Sequence, residues 1–190
     1  MTTRRDFLKT MTMASAGLAL GAGDILANPT FASQRKITDK VKIAYVGIGN
    51  RGEQIIGDFA RTGMVEVVAL CDVDMGAPHT QKVMNLYPKA KRFRDFRQMF
   101  DKAGNEFDAV AIATPDHSHF PISMLALASG KHVYVEKPLA RTFYEGELLM
   151  QAALKRPNLV TQVGNQGHSE ANYFQFKAWM DAGIIKDVTA

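Results

Sequence analysis

Gly47-Ile48-Gly49-Asn50-Arg51-Gly52 is the most chemically specific segment of this 190-residue chain. Its G-x-G-x-x-G spacing follows a β-branched run and precedes the apolar positions Ile55, Ile56 and Phe59, which suits a strand, a turn and a helix that together cradle a diphosphate. In such a turn the first glycine permits the tight reversal, the second lets backbone approach the phosphates, and the third lets helix and strand pack closely. Free N–H groups and the positive end of the helix dipole then face the anion, with Ile48, Asn50 and Arg51 inside the cradle and the Arg51 side chain able to reach a phosphate. Asp72 stands 20 residues beyond Gly52, at the end of the next apolar run, where a carboxylate accepts hydrogen bonds from an adenosine ribose. The same charge repels a 2′-phosphate, and Val73 rather than an arginine follows it, so the pattern favours NAD over NADP. Asp74 is the alternative ribose partner, and a turn-forming side chain is the plain structural alternative for Asp72.

The elements that must position these residues follow from the pattern beyond Val41, where short β-branched runs alternate with longer amphipathic stretches. Strands are predicted at 42–46, 65–71, 91–93, 109–113, 132–135 and 159–163, and helices at 51–62, 77–86, 95–103, 119–129, 142–155 and 169–182. Gly63, Gly104, Gly130 and Gly183 close helices. This α/β alternation predicts a doubly wound parallel sheet of the Rossmann type covered on both faces. A composition of 46% hydrophobic and 22% charged residues fits an ordinary globular domain. The net charge of +4 is scattered, with no basic stripe interleaved with aromatics, so a nucleic-acid partner is not expected. Cys71, the single cysteine, excludes an internal disulfide and reads as buried packing beside Asp72. His117 and His119 lack a convincing third ligand nearby, so no metal site is expected.

The first residues read as targeting rather than fold. Arg4-Arg5-Asp6-Phe7-Leu8-Lys9 precedes a mildly apolar stretch at 11–20, and Thr30-Phe31-Ala32 offers a cleavage site of small residues. The segment 1–32 resembles a twin-arginine signal, with 33–40 as a linker. That resemblance implies the Tat translocon as partner, a periplasmic or otherwise exported destination, and a cofactor carried within the folded protein. The charged n-region of a Sec signal is the alternative reading. Gly17, Gly21, Gly23 and Asp24 interrupt the apolar run short of the ~20 residues needed to cross a bilayer, so no stable membrane span is expected.

Two further segments fall at the carboxyl edge of the predicted sheet: Ala113-Thr114-Pro115-Asp116-His117-Ser118-His119 after the fourth strand and Val135-Glu136-Lys137-Pro138 after the fifth. Together with the glycine loop and Asp72, they resemble the Gfo/Idh/MocA oxidoreductases, and the resemblance covers about residues 41–190. It implies an NAD(P)-binding Rossmann domain at 41–183 and, from 184–190, the first strand of an α/β substrate domain that the chain truncates. It implies that Lys137 lies beside nicotinamide and the reacting carbon, where an amine stabilises a developing alkoxide or shares its proton. Glu136 would contact the nicotinamide end and Pro138 would hold the turn. Thr114, Pro115 and His119 match a T-P-x-x-x-H pattern near the cofactor, although Asp116 replaces the commonly seen Asn. Gln166 approaches the ribose or nicotinamide, His168 faces substrate or begins a helix, and Tyr173, Phe176, Lys177, Trp179 and Met180 form a stripe packed between domains.

The implied substrate is a hydroxyl carbon of a sugar, glycoside or polyol, and the following domain would supply most of its pocket and carry any homo-oligomer contact. Alternatives are an NAD-dependent glycosidase that oxidises transiently and eliminates the leaving group, or a nucleotide-binding module without activity.

Overall fold

The structure, a computed structural model, describes residues 39–188. The signal segment and most of the linker therefore lie outside the described residues. Six strands, β1 Val41–Val46, β2 Val65–Cys71, β3 Lys91–Phe93, β4 Ala109–Ile112, β5 His132–Glu136 and β6 Thr161–Gly164, form one sheet in the order β3-β2-β1-β4-β5-β6. Every pairing is parallel. The helices are α1 Arg51–Arg61, α2 Pro78–Leu86, α3 Phe96–Ala103, α4 His119–Ala128, α5 Phe143–Leu154 and α6 Ala171–Asp181.

The period-two alternation of the strands sorts their side chains onto two buried faces. Ile43, Tyr45, Leu70 and Ala111 point into one cluster with Ile55 and Ile56 of α1 and Val83 and Met84 of α2. Ala44, Val46, Ala69, Val110, Ile112, Val133 and Val135 point into the other with Met99 of α3, Ile122 and Leu127 of α4 and Leu149 of α5. Helices thus cover the sheet on both sides. Tyr45 lies wholly within the first cluster, its ring 6.4 Å from that of Phe59, and its hydroxyl has no hydrogen-bond partner. Burying an aromatic ring contributes about 4–5 kcal/mol, against about 1–3 kcal/mol for an unpaired hydroxyl, so burial wins.

Helix ends follow local chemistry. Asp95 caps α3 by accepting the Arg97 N–H at 2.9 Å. Thr142 and Glu145 form a reciprocal capping box at the start of α5. Gly63, Gly130 and Gly183 take the left-handed φ of +70° that ends a helix. Gly104 does not: at φ −56° it stays right-handed and passes into a single 3-10 turn, Gly104–Glu106. The sixth strand begins two residues later than the apolar run suggests, because its parallel pairing with β5 starts only at Thr161 opposite Val133. Residues 184–188, expected to open a further strand, form none among the described residues, and Asp187 at φ +55° interrupts extended backbone there.

Candidate functional site

The strand order reverses at β1, whose two neighbours β2 and β4 leave it in opposite directions, and this is where open parallel sheets bind ligands. The glycine loop spans β1 to α1 at that point. Gly47 has φ +80°, and a Cβ there would stand 2.6 Å from the Ala113 carbonyl carbon and oxygen. A Cβ on Gly52 would enter the Gly47 carbonyl oxygen. The fold itself therefore requires the first and third glycines. A Cβ on Gly49 meets only the exposed His79 ring, which can turn away, so the second glycine reserves space above the loop. Asn50 adopts φ +46°, a region Asn tolerates better than most residues, and no side chain caps the α1 N-terminus.

Asp72 ties the loop down. Its Oδ2 accepts the Ile48 N–H at 2.9 Å, and its Oδ1 accepts the Asp74 N–H at 3.0 Å. Each oxygen keeps acceptor capacity for a further donor. Asp72 thus shapes the turn and also stands in the cleft. Asp74 sits exposed on the following turn, where its carbonyl accepts the Thr80 hydroxyl at 2.7 Å. Beside Asp72, burial pushes the Cys71 thiol up to about 12, with the charges of Asp72 and Asp95 adding to the rise.

A cleft of about 660 Å³ opens over these elements, bounded by Gly49, Arg51, Asp72, His79, Arg94, Thr114 and Pro115. That volume suits a cofactor. The Thr114 hydroxyl on its wall is buried without any hydrogen-bond partner, a donor and acceptor left for a ligand. At the far end Arg97 is engaged by Asp95 at 2.6 Å, and the pairing holds the Asp95 carboxyl below its ordinary range. Arg94 lines the cleft exposed and without an ion pair. His117, in the 3-10 turn after β4, also lines the cleft and stays exposed.

A second constellation lies at the ends of β5 and β6. Glu136 is only 4% exposed, yet its Oε1 collects three donors: Arg51 Nη2 at 3.2 Å, the Tyr134 hydroxyl at 3.2 Å and Gln166 Nε2 at 2.5 Å. Gly164 makes this gathering possible, since a Cβ there would stand 2.6 Å from both Glu136 Oε1 and the Tyr134 hydroxyl. Burial, and then the neighbouring Glu136 charge, raise the Tyr134 phenol above its ordinary range. Lys137 follows as an exposed side chain, joined to Pro138 by a cis peptide bond.

His119 holds this segment from below. It is 1% exposed, with Nδ1 2.6 Å from the Pro138 carbonyl oxygen and Nε2 2.8 Å from that of Thr114. The ring bridges the two loops and has no free polar atom to offer a cofactor, so it braces the site. Beyond β6, His168 is exposed and stacks on Tyr173 with ring centroids 5.3 Å apart. None of the α6 residues is buried, so apart from the Tyr173 stack the aromatic stripe lies open.

The structure therefore gathers Gly47, Gly49, Asn50, Arg51, Asp72, Thr114 and Pro115 around one cleft, buries the Ile48 side chain in the core and packs Gly52 against the Gly47 carbonyl, and joins Glu136 and Gln166 to the cleft through Arg51. Sequence reasoning missed Tyr134 and His79. Tyr134 was detectable, because in a strand it shares a face with Glu136 two residues on; His79 approaches Gly49 only through tertiary packing. No group of three potential metal ligands occurs among the described residues, and no helix there is long and apolar enough to cross a membrane.

Residues 41–164 match the Gfo/Idh/MocA family, described as an oxidoreductase family with an NAD-binding Rossmann fold. Inositol 2-dehydrogenase of Salmonella typhimurium is 30% identical over 147 residues, covering 76% of this chain and 43% of that protein. An alpha-N-acetylgalactosaminidase of Shewanella oneidensis is 29% identical over 161 residues, covering 75% of this chain and 35% of that protein. Scyllo-inositol dehydrogenase of Lactobacillus casei, solved with bound NAD(H) and scyllo-inositol, superposes with a TM-score of 0.66 at 28% identity over 80% of this chain and 44% of that one. The chain thus spans less than half the length of these relatives. With its parallel six-stranded sheet, glycine loop and strand-end carboxylate, the chain belongs to the Gfo/Idh/MocA oxidoreductase family and carries its NAD-binding Rossmann domain.

Proposed function

We propose that this chain is the cofactor-binding part of an exported enzyme that uses NAD to oxidise or reduce a hydroxyl carbon of a sugar, glycoside or polyol. The observation that carries the reading is the joining of two sites: a cleft that holds the glycine loop and Asp72, and the neighbouring strand-end group of Glu136 and Lys137, linked through Arg51. NAD, when bound, supplies the hydride acceptor. The glycine loop and the α1 N-terminus would hold its diphosphate, Asp72 the adenosine ribose, and the unpaired Thr114 hydroxyl would meet a polar group along the cleft. Asp72 supports NAD over NADP by charge. Lys137 would stabilise the alkoxide or take the proton of the reacting hydroxyl, and the His119 contact to the Pro138 carbonyl would steady the segment that carries it.

Arg4 and Arg5, followed by Phe7, Leu8 and Lys9, support export by the Tat pathway to the periplasm with the cofactor already bound. In a compartment without a free NAD pool, an enzyme of this type would keep its nucleotide and regenerate it within each cycle. That supports a second reading, favoured by the relatives named as glycosidases: transient oxidation of a glycoside, elimination of the leaving group, and re-reduction by the same nucleotide. The exposed aromatic stripe of α6 supports a substrate domain packing there.

Purification without added nucleotide, acid release and mass spectrometry test the cofactor assignment. Bound NAD at one per chain is expected; absence of NAD and NADP would overturn the closed cycle. The holoprotein, assayed with inositols and with α-N-acetylgalactosaminides, then separates the two readings: net NADH formation marks the dehydrogenase, and sugar release without net NADH marks the glycosidase.

A further inference from the structure

Arg51 sits in the glycine loop, where it is placed to meet phosphate, yet its guanidinium is engaged elsewhere. Nη1 donates to Gln54 Oε1 at 2.8 Å, and Nη2 donates to Glu136 Oε1 at 3.2 Å across 85 residues of sequence. The Arg51 side chain is 40% exposed and that of Glu136 only 5%, so the pair joins an accessible cation to a buried anion. The donors from Arg51, Tyr134 and Gln166 all converge on Oε1, and Oε2 takes part in none of these bonds. Tyr134 and Gln166 are neutral donors, so the balance of the Glu136 charge rests on Arg51.

The topology says which end of a dinucleotide meets this pair. With the diphosphate over the glycine loop and the adenosine ribose at Asp72 on the β2 side, the nicotinamide half would extend toward β4 and β5, where Glu136 ends its strand. Nicotinamide carries a positive charge when oxidised and none when reduced. A net charge left at Glu136 therefore discriminates between the two forms, and a neutralised one does not.

Resting on the NAD reading above, we propose that Arg51 is a positioning residue whose ion pair with Glu136 sets the relative affinity for oxidised and reduced nicotinamide. It pins Oε1, leaves Oε2 for a donor on the nicotinamide riboside, and cancels the carboxylate charge facing the ring. A chain that holds one nucleotide through a full redox cycle needs both forms bound with comparable strength, and this pair supplies that balance. Arg51 is thereby a link between the diphosphate cradle and the Glu136-Lys137-Pro138 segment.

The test is calorimetric titration of the full chain, freed of nucleotide, with NAD⁺, NADH and ADP-ribose, the last lacking nicotinamide. Arg51→Met leaves Glu136 uncompensated and should shift the preference toward NAD⁺ by at least about threefold relative to wild type. Glu136→Gln leaves Arg51 uncompensated and should shift it toward NADH. The double variant should return near the wild-type ratio, and Arg51→Lys, which keeps the charge, should stay closer to wild type than Arg51→Met. Circular dichroism establishes that each variant is folded.

If Arg51→Met weakens NAD⁺, NADH and ADP-ribose by the same factor, Arg51 acts on phosphate alone and the proposal falls. If the wild-type chain binds none of the three, the NAD reading fails first. Binding of ADP-ribose with a ratio of NAD⁺ to NADH that no variant alters sinks only the present inference.

Discussion

The two halves of the sheet's carboxyl edge are built by different means. Around β1 and β2 the binding surface is backbone: Gly47 and Gly52 are pressed against carbonyl groups, the Ile48 N–H is tied to Asp72, and the α1 N-terminus is left open. Around β5 and β6 it is side chains: Tyr134, Gln166 and Arg51 converge on one carboxylate oxygen of Glu136, and Lys137 stands beside them in the open. A diphosphate looks the same in every dinucleotide, so invariant backbone suffices to bind it. Chemistry and redox state differ from one reaction to the next, and side chains are what can be exchanged. The difference predicts that substitutions in the first half cost binding and fold together, whereas those in the second alter preference.

The sharpest way to break that comparison is a methyl group. Gly47→Ala must relieve a Cβ 2.6 Å from the Ala113 carbonyl and also adopt φ +80°, and Gly52→Ala meets the Gly47 oxygen directly. Both should lower NAD affinity more than about a hundredfold and reduce the melting temperature, because backbone cannot yield as a side chain can. Gly49→Ala, opposed only by the exposed His79 ring, should keep the melting temperature while weakening NAD. Thermal unfolding beside titration checks the contrast; equal loss of stability in all three would mean the second glycine is structural too.

His119 belongs to neither half and fastens one loop to another. Replacing it by alanine removes the imidazole that sits between the Thr114 and Pro138 carbonyls and opens a cavity, a loss of about 2–4 kcal/mol in urea unfolding. The nicotinamide side should suffer beyond that. In variants still folded, NAD affinity should fall more than ADP-ribose affinity, since ADP-ribose does not reach the Pro138 segment. An unchanged ratio would confine His119 to stability.

Asp72 tests the adenosine end. Asp72→Ala should weaken NAD about tenfold and admit NADP, with the exposed Arg94 receiving the 2′-phosphate; Arg94→Ala added to it should remove the gain. Persistent exclusion of NADP in the single variant would mean that shape, not charge, makes the choice.

The contrast between halves also explains what was legible in the sequence. The strands, the order of helices and the glycine loop could be read because each depends on local pattern: alternation of period two, a turn that needs φ > 0, a carboxylate at a strand end. Gly104 closes α3 where expected, but it does so in right-handed backbone that passes into a 3-10 turn, and glycine alone does not say which conformation ends a helix. The Arg51–Glu136 pair could not be read at all, since 85 residues separate partners that only the parallel crossing of β1, β4 and β5 brings together. His119 shows the same limit: its type and spacing place it near the cofactor, but only packing reveals that both ring nitrogens are turned to backbone carbonyls.

The smallest effect concerns Cys71, which lies beside Asp72 in the backbone-built half. Burial, aided by Asp72 and Asp95, raises its thiol from 9.0 to about 12. The unfolded chain therefore releases this proton near pH 9 while the folded chain retains it. Between those values the folded state binds more protons, so stability is fully present below about pH 9 and declines as pH rises toward 12, by about 1 kcal/mol at pH 10. Tyr45, whose phenol burial also raises, adds loss of the same sign only once unfolded tyrosine begins to ionise near pH 10. Urea unfolding at pH 8, 9 and 10 should show the decline in wild type and a flatter profile in Cys71→Ala. A profile that keeps its slope without the thiol would assign the alkaline loss to other groups, and a thiol in the native protein that reacts readily with iodoacetamide at pH 8 would show that the adenosine half is less tightly closed than its backbone contacts require.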